Sequence, residues 1–225
     1  SGGLNFPPRI ATTYLNAAVY PIHRLFYQAV AATLQEKGLQ APIRILKADG
    51  GNMNLDASMK YPVETILSGP AASIMGALAF APRQQECLVL DIGGTTTDMA
   101  VLVDASPLLN PHGIQMGAYR TLIRSLETHS VGLGGDSRVL VDHSGIKVGP
   151  QRDGPAMGYG GPSPTPTDAL MVLNRTGEGD RAAAVRGFEP LARTLGIPVE
   201  AAAEKVFDHT CREILREAHA MVEHI

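Results

Sequence analysis

Apolar residues Leu15, Val19, Ile22, Phe26, Val30 and Leu34 recur every three or four positions across residues 12–34, which is the helical period. Pro21 interrupts that pattern, so either a second helix starts there or the first one kinks, and Gly38 suits the stop. A β-type run at 43–47 then leads into the turn sequence Asp49-Gly50-Gly51-Asn52. Ser68-Gly69-Pro70 opens another helix, with Ser68 as its N-cap, Pro70 in its first turn and the small, apolar run 71–80 behind. Gly69, Ala72 and Gly76 share one side of it, where small residues admit either packing against a sheet or close approach of a ligand.

Residues 88–103, LVLDIGGTTTDMAVLV, are two short apolar strands pinched around a polar tip. A weaker strand pattern covers 122–131. A second hairpin is expected from 138–142 and 146–148, turning at His143-Ser144-Gly145. Repeated Gly and Pro make 149–166 a loop, after which Thr167 or Asp168 caps a short helix over 169–173. Asp180 starts a helix to about residue 195, Gly196-Ile197-Pro198 breaks it, and 199–225 forms a long final helix. No repeat of fixed period and no low-complexity tract occurs.

Composition narrows the class without naming a function. The chain has 225 residues, 44% of them hydrophobic and 18% charged, with a formal net charge of −3. That is an ordinary globular balance, and no basic patch stands out in the sequence, so a nucleic-acid partner is not expected. Nor is a membrane partner, because no apolar run is long enough to span a bilayer and the N-terminus is not a signal peptide. Cys87 and Cys211 form neither a CxxC site nor a disulfide framework, which points to a reducing, cytoplasmic setting, with Cys211 a small buried side chain. The chain starts without Met and stops inside a helical pattern, as a piece of a longer protein would.

Function concentrates in the tip Asp91-Ile92-Gly93-Gly94-Thr95-Thr96-Thr97-Asp98. A plain hairpin needs no such sequence. Glycines let a backbone approach an anion with no Cβ between, the threonines add neutral donors, and several backbone N–H groups meet at one point. Such a point suits phosphate, with Gly93, Gly94, Thr95 and Thr96 as the binding residues. Asp91 would be repelled by a phosphate, and Asp91 and Asp98 are the residues suited to chemistry beside it. Either carboxylate can hold a divalent cation or a water, and Asp91 is the expected magnesium ligand and partner of an attacking water. Neither Gly-x-x-x-x-Gly-Lys-Ser/Thr nor a helix-opening Gly-x-Gly-x-x-Gly is present, so a hairpin rather than a helix N-terminus would grip the anion.

This tip resembles the second phosphate-binding hairpin of the actin, sugar-kinase and heat-shock-chaperone ATPase superfamily, and within it the hydantoinase/oxoprolinase A family. Further blocks support the resemblance in the family's order: Asp49-Gly50-Gly51-Asn52, Leu67-Ser68-Gly69-Pro70-Ala71-Ala72, Gly132-Leu133-Gly134-Gly135-Asp136-Ser137, Lys147-Val148-Gly149-Pro150 and Thr165-Pro166-Thr167-Asp168-Ala169. The resemblance covers about residues 9–225. It implies an α/β fold, a ribonuclease-H-like lobe of the actin-like type, with a mixed sheet, flanking helices and a helical C-terminal segment.

By the same resemblance residues 1–225 are one family domain of a longer chain, lacking the first phosphate hairpin and the adenosine segment. The implied activity is ATP- and Mg²⁺-dependent opening of a cyclic amide such as a hydantoin or 5-oxoproline, with a second subunit of the B type as partner. The alternatives are a carboxylase subunit, a nucleotide-gated binding module without amide hydrolysis, and a structural domain that has lost its nucleotide. The chain departs from the family's pattern at 151–161, which leaves the ring that is opened unassigned.

Gly134 and Gly135 are either backbone donors near the nucleotide, as the resemblance suggests, or a sharp turn into the second hairpin. Asp168 is a helix cap or a site residue. His209 with Glu213, and His219 with Glu223, stand at i,i+4 spacing on the last helix with no third ligand nearby, and are expected as solvated helix-face pairs.

Overall fold

A computed structural model describes residues 5–82, 85–142 and 145–223 of the chain. The described residues of Ser1–Val89 and Ala100–Thr128 form one compact unit, and those of Leu90–Met99 and His129–Ile225 form another.

The first unit opens with α1 (Phe6–Glu36), which continues through Pro21 as one helix. Pro7 and Pro8 sit where the first-turn N–H groups have no partner to lose, and Gly38, at φ +70°, follows the last turn. The apolar period splits on folding: Leu15 packs into the core, whereas Ile22 and Phe26 are 72% and 59% exposed. His23 is buried in their place. Ser58 Oγ donates to the Leu55 carbonyl, so its oxygen accepts from His23 Nε2, 3.3 Å away.

Strands β1 (Arg44–Leu46) and β2 (Asn52–Asn54) pair around the Asp49-Gly50-Gly51 turn. There the Asp49 carboxylate accepts from the Gly51 N–H at 3.0 Å. Helix α2 (Leu55–Lys60) is capped by Asn54, whose side chain accepts from the Ala57 N–H. Helix α3 (Ser68–Ala77) buries Ala71 and Ile74. Its N-cap is Leu67 in the left-handed region at φ 63°, with no side-chain cap, so Ser68 lies inside the helix rather than before it. Gly69, Ala72 and Gly76 are exposed, and a Cβ at either glycine would meet nothing within 4 Å. Their small size is therefore not set by sheet packing among the described residues.

Strands β3 (Cys87–Ile92) and β4 (Thr97–Val103) form the expected hairpin. A tight turn at Asp104 and Ala105, both with positive φ, returns β4 into β5 (Ser106–Pro107). Four two-residue strands, β6 (Leu109–Asn110), β7 (Gln115–Met116), β8 (Tyr119–Arg120) and β9 (Ser125–Leu126), pair as β6–β9 and β7–β8. Met116 of β7 packs against the core of Ala48, Val63, Ile114 and Ile123, while Leu126 of β9 joins the core of Ala71, Ile74, Ala100 and Leu102.

In the second unit β10 (His129–Val131) pairs with β4, Val131 opposite Thr97. The single strand expected at 122–131 is thus β9 and β10, with different partners. A second hairpin follows, β11 (Val139–Asp142) with β12 (Gly145–Val148), and the expected turn residues His143 and Ser144 lie outside the described residues. Every strand register defined among the described residues is antiparallel, where a mixed sheet is expected. Most partners are close in sequence, β4 and β10 pair antiparallel across the intervening β5–β9, and among the described residues no register sets two strands side by side in parallel.

Helices α4 (Pro166–Val172), α5 (Arg181–Leu195) and α6 (Val199–Glu223) close the unit. Phe188, Met171, Val172, Ala184, Ala203 and Val206 form its core, while Cys211 is exposed on α6 rather than buried. Asp180 caps α5 as expected. Helix α4 starts earlier than expected, with Thr165 as N-cap and Asp168 completing a capping box.

Asp168 is fully buried. It accepts from the Gly158 N–H at 2.8 Å, the Met157 N–H at 2.9 Å, the Thr165 N–H at 3.0 Å and the Thr165 hydroxyl at 2.9 Å. Its carboxylate is the fastener between the 149–166 loop and α4, which accounts for the residue without a site role.

Two outcomes follow from these buried groups. Asp168→Ala strands two buried N–H donors and a half-buried one and is expected to cost roughly 3–5 kcal/mol in chemical denaturation, whereas Asp180→Ala, an exposed cap, is expected to cost about 1 kcal/mol. Burial holds the His23 imidazole below its ordinary 6.5, opposed by the Ser58 contact. The unfolded chain therefore binds this proton more readily, and stability falls as pH drops below about 6.5. Thermal melts between pH 7 and 5 are expected to fall less steeply for His23→Gln than for the native chain, and parallel curves would remove His23 from the acid response.

Candidate functional site

The tip of the β3–β4 hairpin lies wholly in the second unit. Its turn closes with the Gly93 N–H donating to the Thr96 carbonyl at 2.9 Å. Thr97, the first residue of β4, is fully buried, and its hydroxyl donates to the Leu133 carbonyl at 2.7 Å. This bond and the Val131–Thr97 register deliver the chain from β10 into the Gly132–Ser137 block beside the tip.

That block folds onto the turn through backbone alone. The N–H groups of Gly135 and Asp136 donate to the carbonyls of Gly93 and Gly94, each at 2.8 Å. Ser137 closes the block on itself, its hydroxyl accepting from the Gly134 N–H at 2.9 Å. Thr167, in the first turn of α4, donates to the Gly135 carbonyl from its N–H at 2.9 Å and from its hydroxyl at 2.8 Å.

Glycine is demanded by this closeness. A Cβ on Gly134 would lie 2.5 Å from the Gly93 oxygen and 2.6 Å from the Gly94 oxygen, and one on Gly135 would lie 2.6 Å from Thr167 Oγ1. Both are backbone or well-anchored atoms with no room to yield. One on Gly94 would meet Asp136 Oδ2 at 2.5 Å. Neither Gly93 nor Gly94 has positive φ, so the sequence is glycine here for contact rather than for backbone conformation.

The predicted residues divide by what their polar groups do. The N–H groups of Gly134 and Gly135 are spent on Ser137 and Gly93, so these glycines brace the turn. By contrast, among the described residues the N–H groups of Gly94, Thr95 and Thr96 and the Thr95 hydroxyl have no hydrogen-bond partner. Gly93, Gly94 and Thr95 are exposed. Asp91, at the end of β3, and Asp98, on β4 opposite Ser130, are half-buried on the two flanks of this row of donors. The Thr96 hydroxyl makes one long contact, 3.5 Å, to Asp98 Oδ2.

Of two charged residues beside the tip, the sequence presents Asp136 only as part of the Gly132–Ser137 block and does not single out Arg152. Asp136 Oδ2, next to Gly94, accepts from Arg152 Nη2 at 2.8 Å. Arg152 comes from the 151–161 stretch that departs from the family pattern, and no spacing rule links it to residue 136. Ser137 is visible in sequence only as a member of its block, and Thr167 as a block member and a candidate helix cap. On α6, Glu213 pairs with Arg216 at 2.7 Å instead of with His209. Among the described residues no three His, Cys, Asp or Glu side chains cluster to hold a metal.

The sequence model of the hydantoinase/oxoprolinase family matches residues 9–223. The caprolactamase alpha subunit of Pseudomonas jessenii is 28% identical over 213 residues, covering 87% of this chain and 30% of the relative. The acetophenone carboxylase gamma subunit of Aromatoleum aromaticum is 30% identical over 210 residues, covering 83% of this chain and 28% of the relative. This chain therefore spans under a third of the length of either relative. The nucleotide-free structure of an acetone carboxylase superposes with a TM-score of 0.76 at 24% identity, over 86% of this chain and 30% of that one, and shares its fold. With the match running over nearly the whole chain, and with the hairpin, Gly132–Ser137 and Thr165–Ala169 blocks in contact, the chain belongs to the hydantoinase/oxoprolinase family.

Proposed function

We propose that the β3–β4 tip holds nucleotide phosphates and that the chain is one module, residues 1–225, of an ATP-dependent enzyme that opens a cyclic amide. The observation that carries this reading is the row of unspent N–H groups at Gly94, Thr95 and Thr96, held in place from behind by the Gly134-Gly135-Asp136 brace. Donors fixed before an anion arrives cost no reorganisation when it binds. The Thr95 hydroxyl extends the same row.

The donor set fits a phosphate and, with it, a magnesium ion. Magnesium is commonly held by one or two carboxylates together with phosphate oxygens and water, so a single protein ligand, Asp91, suffices where no three-residue cluster exists. Asp98 sits beyond the other end of the turn, where a carboxylate can orient a water. ATP, when bound, supplies a transferable phosphoryl group that activates an amide oxygen. The chain's own part is to hold the phosphates at Gly93, Gly94, Thr95 and Thr96 and to place the two carboxylates beside them. Gly134 and Gly135 act through the turn that they brace.

In this reading the fold is a ribonuclease-H-like lobe of the actin type, the setting is cytoplasmic, and a second subunit of the B type completes the enzyme. A carboxylase role is the second reading, supported by the identity to the acetophenone carboxylase gamma subunit. Phosphate release by the complete polypeptide with its partner subunit separates the two. Release stimulated by hydantoins, 5-oxoproline or lactams supports amide opening; release needing a small ketone and bicarbonate replaces it with carboxylation.

Asp91→Ala and Thr95→Ala in the complete polypeptide are expected to lower ATP turnover by about a hundredfold or more with circular dichroism unchanged. Normal turnover in both variants removes the hairpin from the mechanism. Gly94→Val is expected to abolish measurable nucleotide binding in calorimetry, because its Cβ displaces the Asp136 carboxylate at the tip.

The 225-residue chain alone is expected to bind ATP·Mg²⁺ no tighter than about millimolar. Its donors lie exposed, and three absent contacts of about 1–1.5 kcal/mol each weaken binding by two to three orders of magnitude. A micromolar dissociation constant for this chain would show the site to be complete within it.

A further inference from the structure

The first unit holds a cleft of about 640 Å³ that the hairpin chemistry does not use. One wall is α1, turned polar side inward: Arg9, Thr12, Thr13 and Asn16, at i, i+3, i+4 and i+7, line the cleft. Its apolar residues Phe6, Ile10 and Tyr14 are 70%, 53% and 72% exposed. A helix that folds its polar stripe inward leaves those groups facing a cavity rather than a core.

The wall is fixed at two points. Thr12 Oγ1 accepts from the Leu122 N–H at 2.9 Å while donating to the Pro8 carbonyl. Asn16 uses both ends of its amide, Oδ1 accepting from the Val63 N–H at 3.2 Å and Nδ2 donating to the Lys60 carbonyl at 3.3 Å. Arg9 stands one turn before these tethers. The cleft is preformed, and its size lies within the usual range for small-molecule sites.

Its charge does not balance. Four cationic side chains line it, Arg9, Lys47, Lys60 and Arg124, against two acidic ones, Asp49 and Glu64. Both acids are taken by Lys47, at 3.3 Å and 2.9 Å. Arg9, Lys60 and Arg124 make no ion pair among the described residues. In a chain of net charge −3, three exposed cations line one cleft whose two carboxylates are already held by Lys47, so the lining keeps an excess of positive charge for an anion. Tyr61, Val63 and Ile123 supply apolar lining beside them.

We propose that this cleft binds a small organic anion, its carboxylate or phosphate held by Arg9, Lys60 and Arg124 and its short apolar body laid against Tyr61, Val63 and Ile123. Guanidinium groups match either anion with paired N–H donors, so the shared chemistry is the anionic oxygen group.

Calorimetric titration of the complete polypeptide, without ATP, with glutarate and separately with inorganic phosphate tests this. Binding of either probe is expected, weakened about tenfold or more in Arg9→Gln and again in Arg124→Gln. Glutarate alone identifies a carboxylate ligand, phosphate alone a phosphate-bearing one, and both together an anion site that accepts either. Lys60→Gln, at an exposed helix end, supplies a variant whose folding is not in question and is expected to show the same direction. Binding unchanged in Gly94→Val shows that the anion does not sit at the hairpin, so the test stands whether or not the nucleotide reading does. Absence of binding for both probes overturns the proposal, as does affinity that survives all three cleft substitutions or disappears with Gly94→Val instead.

Discussion

Two backbone hydrogen bonds, from the Gly135 and Asp136 N–H groups to the carbonyls of Gly93 and Gly94, are the constraint on which the second unit's polar end is built. They spend the carbonyl side of the turn and leave its N–H side facing out. They also require the two backbones to come closer than a Cβ on residue 134 would allow. The constraint then propagates. Thr167 clasps the Gly135 carbonyl, Asp168 in the same turn of α4 clasps residues 157, 158 and 165, and α4 packs into the core around Phe188. The tip is thereby referred to a packed helix bundle rather than to a free loop.

The sequence resolves the parts of this assembly whose chemistry is local. Gly-Gly-Thr-Thr-Thr between two aspartates announces a special turn, Asp180 announces a helix start, and Gly196-Ile197-Pro198 announces a break, each because one residue's geometry decides the outcome. It fails where partners come from afar. The roles of Gly134 and Gly135 depend on the Gly93 oxygen and on Thr167, some forty and thirty residues away in sequence. The hydrogen bonds to Asp168 come from 157, 158 and 165, so a cap and a buried fastener read alike. A left-handed Leu67 ahead of α3 contradicts its own propensity, and nothing local predicts that a capable cap, Ser68, is passed over.

Helix α1 shows the same limit in its packing. Periodicity establishes that a helix exists but not which way it faces, and the face that turns inward carries Arg9, Thr12 and Asn16 while Ile22 and Phe26 face out. The cationic cleft is invisible in sequence for a related reason. Arg9, Lys60 and Arg124 are isolated charges in stretches of ordinary composition, and only the packing of α1 beside α2 and the 122–124 segment brings them together. A low net charge excludes a broad basic surface but not a focused one.

The donors at Gly94, Thr95 and Thr96 raise a question of dielectric. At an exposed tip each N–H competes with water, and a hydrogen bond to a charged group there nets far less than in a dry site. The hydrogen bonds of the brace align the donors, which reduces the ordering cost of binding, but they do nothing to exclude solvent. Beside the tip, Leu90 and Ile92 of β3 are 42% and 56% exposed, an apolar pair on the outer strand of the sheet. Apolar surface next to a polar site favours cover by another surface, and such cover would remove water from the same donors. On the proposed reading, alignment is therefore intrinsic to this chain, whereas the strength of the site depends on what closes over it. If phosphate is held there, one braced turn would suit amide opening and carboxylation alike, since the turn would set where phosphate sits and the covering surface what lies beside it.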